Sequence, residues 1–114
     1  MERIKKVELN GITFEVFGQY WETRNSWGHN GYLLIDGHEV SKSRIRYYNR
    51  TWEGYRFQSA GRAAVWSYIE ELQRRALDAY KMATGRARLS QSLKDGIFKQ
   101  DAEIQAAEMV LAAL

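Results

Sequence analysis

Lys5-Lys6-Val7-Glu8-Leu9-Asn10-Gly11-Ile12-Thr13-Phe14-Glu15-Val16 decides the fold class of this 114-residue chain. Asn-Gly tolerates positive φ at both central positions of a two-residue turn, which a type I′ β-hairpin demands. In the register that turn sets, Leu9 faces Ile12 and Val7 faces Phe14. Glu8 and Thr13 then share the opposite face with Lys6 and Glu15. Turn chemistry and the apolar–polar alternation agree, so the chain opens with an antiparallel hairpin that has one face for a core.

A second hairpin signal follows at Asp36-Gly37, between Tyr32-Leu33-Leu34-Ile35 and a return strand from His38 to Tyr48. Its faces conflict: Leu33, Ile35 and Val40 fall on one side, Ile45 and Tyr47 on the other. Either both faces of the sheet are covered or a β-bulge shifts the register. Between the hairpins, residues 18–31 contain three glycines and no period, which predicts the end of a strand followed by an aromatic loop. Trp27 is either exposed on that loop as a partner-binding anchor or tucked beneath a loop that folds back over it.

Beyond Asn49 the period changes. Val65, Ile69, Leu72, Ala76 and Ala79 or Tyr80 predict an amphipathic helix of roughly 25 residues, closed by Thr84-Gly85 with glycine at C′. A short helix capped by Ser90 or Ser92 and broken at Gly96 is expected over residues 86–100. A last, alanine-rich helix over 102–114 carries a stripe of Ile104, Ala107, Leu111 and Leu114. Strands first and helices after imply an α+β fold: a four-stranded antiparallel sheet of two hairpins, with two or three helices packed on it. The expected organisation is a single domain over 1–114, the sheet in 1–50 and the helical part in 51–114.

Composition narrows the chemistry. Cysteine is absent, so disulfides, thiolate metal sites and cysteine nucleophiles are excluded. The two histidines, His29 and His38, have no second ligand at metal spacing, and no phosphate-loop, dinucleotide or serine-hydrolase motif occurs. The expectation is therefore a protein that is not an enzyme and carries no cofactor and no metal. No run of 18 apolar residues exists and no apolar stretch follows the charged start, so a cytoplasmic protein without membrane contact is expected.

The net charge of +3 is unevenly spread. Residues 1–41 are net −2, 42–62 net +5, 63–73 net −2, 74–99 net +5 and 100–114 net −3. The first basic block is the denser feature: Arg44-Ile45-Arg46-Tyr47-Tyr48-Asn49-Arg50-Thr51-Trp52-Glu53-Gly54-Tyr55-Arg56-Phe57 interleaves arginines with aromatics. Guanidinium groups neutralise phosphates and flat rings stack on unpaired bases, so nucleic-acid surfaces use this mixture. Arg, Tyr and Trp also dominate protein–protein contacts, and tyrosines and a tryptophan at a strand–helix junction also serve as a core edge. On an extended segment Lys42, Arg44, Arg46 and Tyr48 point the same way, forming a basic ladder. The second basic block offers the turn of a helix–turn–helix at Thr84-Gly85, but no second helix of recognition length follows Gly85.

Tyr47-Tyr48-Asn49-Arg50-Thr51-Trp52-Glu53, with Tyr55 and Phe57-Gln58-Ser59 before a helix, resembles a segment of small phage and plasmid accessory proteins of Gram-positive bacteria. The likeness covers about residues 10–70 and has no catalytic motif. It implies a counter-defence role of the anti-CRISPR kind, inhibition of a Cas nuclease or its guide-RNA complex by steric occlusion. Such inhibitors that imitate DNA are acidic, whereas this chain is basic, so contact with guide RNA, a target duplex or an acidic protein surface is the expectation. The candidate partner-binding residues are Lys42, Arg44, Arg46, Tyr48, Arg50, Trp52, Arg56 and Trp27. The alternative reading is a single-stranded nucleic-acid-binding module using the same face. A homodimer through the last helix is a further expectation.

Overall fold

The computed structural model describes residues 1–47 and 56–114. Four strands form an antiparallel meander in the order β1-β2-β3-β4: β1 (Glu2–Leu9), β2 (Ile12–Glu22), β3 (Trp27–Ile35) and β4 (His38–Tyr47). Three helices follow: α1 (Arg56–Thr84), α2 (Gln91–Gln100) and α3 (Ala102–Ala113). The expected α+β architecture, sheet first and helices after, is the one found.

Both hairpin turns are of the kind their sequences specify. Asn10 and Gly11 sit at φ of 53° and 79°, Asp36 and Gly37 at 50° and 82°. The first turn fixes the register Leu9↔Ile12, Glu8↔Thr13, Val7↔Phe14 and Lys6↔Glu15, as the alternation requires. In the second hairpin Leu34 pairs with Glu39 but Leu33 pairs with Ser41. Val40 is therefore an extra residue, a β-bulge, and the conflict of faces disappears. Downstream of it Ser41, Ser43 and Ile45 lie on the Leu33 face, while Lys42, Arg44 and Arg46 lie on the other.

The central segment departs from the sequence expectation. β2 continues to Glu22 and β3 begins at Trp27, so the loop shrinks to residues 23–26. Thr23 and Ser26 close it: the Thr23 N–H donates to the Ser26 carbonyl at 2.8 Å and the two hydroxyls pair at 2.9 Å. The glycines that suggested a loop have another use. A Cβ on Gly31 would run into the carbonyl of Ala60 and lie 2.8 Å from Gly61 N. Helix α1 thus seats its backbone directly on β3, and Ser43 Oγ donates to that same Ala60 carbonyl at 2.6 Å. Glycine in a strand marks such close approaches.

The helical layer covers the face that carries Phe14, Val16 and Leu33. With Val65, Ile69 and Leu72 of α1 and Ile104, Ala107 and Val110 of α3 these form one core. Each fully buried branched side chain contributes about 1.5–3 kcal/mol. α1 is longer than its apolar stripe suggested, 29 residues, and ends as expected at Gly85 in positive φ. Its N–H donates to the Lys81 carbonyl at 2.8 Å. α2 is capped by Ser90, whose Oγ accepts from Leu93 N at 3.2 Å, and it runs through Gly96 without a break. In α3 Val110 is buried with Ile104 and Ala107, while Leu111 and Leu114 pack only partly. The last helix therefore spends its inner stripe inside its own chain. Among the described residues no helix is long and apolar enough to cross a membrane.

Candidate nucleic-acid interface

Strand alternation puts a defined set of side chains on the outer face of the sheet, opposite the helices. Cross-strand pairing orders them in rows. One row reads Arg3, Phe17, Tyr32, Lys42; the next Gln19, Asn30, Arg44; the last Trp21, Gly28, Arg46. A cation from β4 thus ends each of these three rows, with an aromatic ring in the first and last, while the row Lys6, Glu15, Leu34, Glu39 nearer the turns ends in a carboxylate. Alternate residues of a strand stand roughly 6.7 Å apart, so Lys42, Arg44 and Arg46 form the evenly spaced ladder that alternation predicts.

The rings and cations are already layered. The Arg44 guanidinium lies 3.9 Å above the Trp21 ring centroid and that of Arg46 lies at 5.6 Å. The Lys42 ammonium stands 5.6 Å from the Tyr32 centroid. Gly28 makes this possible. A Cβ there would sit 2.7 Å from Trp21 Cζ2 and strike the Ile45 carbonyl, so the indole lies flat across β3 where any other residue would lift it. Each such cation–π contact is worth about 0.5–1 kcal/mol at an exposed site.

Charge is handled differently at the two sides of this face. On β1 and β2, Arg3 pairs with Glu15 at 3.5 Å and Lys6 with Glu8 at 3.7 Å. Among the described residues, no carboxylate pairs with Lys42, Arg44 or Arg46. Three cations, all exposed, are thus left un-neutralised along one strand. On the same face a polar chain links β3 to β2: the buried Asn30 Nδ2 donates to the Tyr32 hydroxyl at 3.3 Å, and that hydroxyl donates to Gln19 Oε1 at 3.2 Å.

The structure sorts the predicted site residues into three groups. Lys42, Arg44 and Arg46 are brought together as expected. Tyr48, Arg50 and Trp52 lie outside the described residues, and Arg56 begins α1. Trp27 is corrected: it is 3% exposed, not an exposed loop anchor. It opens β3 on the helix side and meets Tyr20 and His29 at ring-centroid distances of 6.1 Å each. The reason is parity, since Trp27 falls an even number of residues from Leu33 and so points into the protein. His29, two residues on and on the same face, is likewise a buried strand residue.

Trp21, Phe17, Tyr32, Gln19 and Asn30 were missed as site residues. Their signal was available: a strand glycine, Gly28, opposite a tryptophan marks a ring laid on the backbone. Among the described residues no group of three or more His, Asp or Glu side chains could hold a metal ion. Compared with family models, with curated proteins and with solved structures, the chain matches none.

Proposed function

We propose that this is a non-enzymatic binding protein that grips single-stranded nucleic acid across the outer face of its sheet. The observation that carries the reading is the ladder of three un-neutralised cations, Lys42, Arg44 and Arg46, held over a floor of rings. The cations are spaced for the phosphates of an extended strand, and the half-buried rings of Phe17 and, once Arg44 lifts, Trp21 offer stacking surface to its bases. The likeness to mobile-element accessory proteins supports a setting for that strand: a nucleoprotein target such as an RNA-guided Cas nuclease, blocked by occupation of its nucleic acid.

The test is binding to labelled single- and double-stranded oligonucleotides across a salt series, and to an assembled guide-RNA–nuclease complex. Three phosphate contacts on a single strand predict a log–log salt slope of about −2, or about a twentyfold loss of affinity between roughly 50 and 200 mM salt. The Lys42→Ala/Arg44→Ala/Arg46→Ala variant is expected to flatten that slope. Tighter binding to the assembled complex than to its bare RNA supports the inhibitor setting, and equal binding supports an independent nucleic-acid module. Absence of binding to any single strand at low salt refutes the reading.

A further inference from the structure

Among the described residues, two buried polar atoms on the outer face have no hydrogen-bond partner: Asn30 Oδ1 and Trp21 Nε1. A buried polar group left unmet is costly, and such groups in a folded protein call for an explanation. These two share a neighbour. Arg44 is the cross-strand partner of Asn30, and its guanidinium is the plate lying on Trp21. Asn30 is 9% exposed, and its other amide atom is already engaged with Tyr32. The vacant position is therefore an acceptor, fixed by the amide's orientation.

The stacked contact of Arg44 on Trp21 can open into a slot on one side only. The inner face of the indole rests on the β3 backbone at Gly28, so nothing can enter there. The outer face is covered by a long, exposed arginine side chain that can lift without disturbing the fold. A planar ligand that slid between them would keep both stacking contacts, ring on ring below and guanidinium on ring above. It would also come within the row of Asn30. To satisfy the Asn30 acceptor it must carry an N–H donor at its edge.

We infer that this slot is a nucleobase clamp: one unpaired base that bears an exocyclic amino group inserts between Trp21 and Arg44 and donates that group to Asn30 Oδ1. The inference rests on the nucleic-acid reading of the same face and adds a base preference to it. Adenine and cytosine present an amino donor beside a ring-nitrogen acceptor. Uracil presents carbonyl oxygens there, which would meet the Asn30 oxygen with like partial charge. Arg44 then has two roles in turn, a cover for the empty slot and the upper plate of the filled one. Sequence selection of this kind is separable from the salt-dependent grip of the ladder.

The experiment compares twelve-residue oligoadenylate, oligocytidylate, oligouridylate and an abasic ribose-phosphate chain at one salt concentration, each also in a salt series. The expected order is adenine and cytosine together, uracil about tenfold weaker, as one lost base-edge contact implies, and the abasic chain weakest. Asn30→Leu, which removes the unmet acceptor, is expected to collapse the preference of adenine over uracil towards unity. Its thermal melt reports whether the fold is kept, and the parent's own preference needs no variant. Equal affinity for all four chains with a steep salt slope overturns the clamp and leaves the phosphate ladder standing. Preference for adenine over uracil that survives Asn30→Leu in a folded variant also overturns it. No binding to any chain overturns the clamp together with the reading beneath it.

Discussion

Replacing Gly31 by alanine tests the contact on which the whole two-layer arrangement rests. The added methyl would occupy the position of the Ala60 carbonyl and stand 2.8 Å from Gly61 N. Neither side can yield cheaply. Ala60, Ala64 and Val65 are fully buried, and Gly61 itself is wedged so that a Cβ there would lie 2.7 Å from Ile4 Cδ1 and 2.8 Å from Val16 Cγ1. The helix must lift from the sheet, stretching the 2.6 Å bond from Ser43 to Ala60. Overpacking a tight core costs about 1–3 kcal/mol, and a backbone obstacle places Gly31→Ala at the upper end, about 3 kcal/mol. For a domain near this size that is a fall in Tm of about 12 °C. Gly96→Ala is the internal control, because nothing lies within 4 Å of its added Cβ and the position is inside α2. There the same chemical change is expected to stabilise by about 0.5–1 kcal/mol. Thermal and urea unfolding by circular dichroism reads both. If Gly31→Ala melts within a few degrees of the parent, α1 does not seat on β3 as described.

Asp36→Ala loses both the acceptor for Thr13 N at 2.9 Å and a residue suited to its φ of 50°, and is expected to cost about 1–2 kcal/mol. Asp36→Asn keeps both and is expected to melt near the parent; an equal loss in the two variants would contradict the turn argument. Asp101 ends α2 and caps α3, accepting from Ile104 N at 3.0 Å, so Asp101→Ala is expected to lower stability by about 1 kcal/mol in urea titrations. Glu71 is held below the ordinary carboxylate range by its hydrogen bonds to Arg74 and, secondarily, Arg75. A depressed folded-state pKa stabilises at pH above the unfolded value and is lost as pH falls through the folded one. The small stability difference between Glu71→Gln and the parent should therefore be present at neutral pH and vanish in acid; a difference that grows on acidification contradicts the sign.

The first hairpin was legible from Lys5 to Val16 because Asn10-Gly11 fixes both turn and register, leaving parity to assign each side chain of that span. The same parity placed Lys42, Arg44 and Arg46 on one face without any knowledge of what lay opposite. The region from Gly28 to Gly31 was misread because glycine has two physical uses. A turn exploits its freedom in φ, and a crowded sheet exploits its missing Cβ; composition alone does not separate them. Trp27 followed from that error, since a strand buries what a loop would expose. The bulge at Val40 was recognisable only as a contradiction between two apolar sets. Gly28 could have pointed to the Trp21 ring laid across it, but the unmet polar atoms of Asn30 and Trp21 were out of reach, because only pairing in three dimensions creates a lack of partners.

Val40 has a wider meaning for how this strand tolerates change. The turn at Asp36-Gly37 dictates the phase of residues before it, and the seating of Ser43 on α1 dictates the phase of residues after it. Val40 is the one position between these anchors that belongs to neither count, and it stands 40% exposed. A length change of one residue at this point leaves both halves of the strand facing as they do. The same change two or three residues later would turn the cation ladder inward, beneath the helix. Relatives of this chain should therefore vary in length around Val40 and keep a fixed count from Ser41 to Arg46.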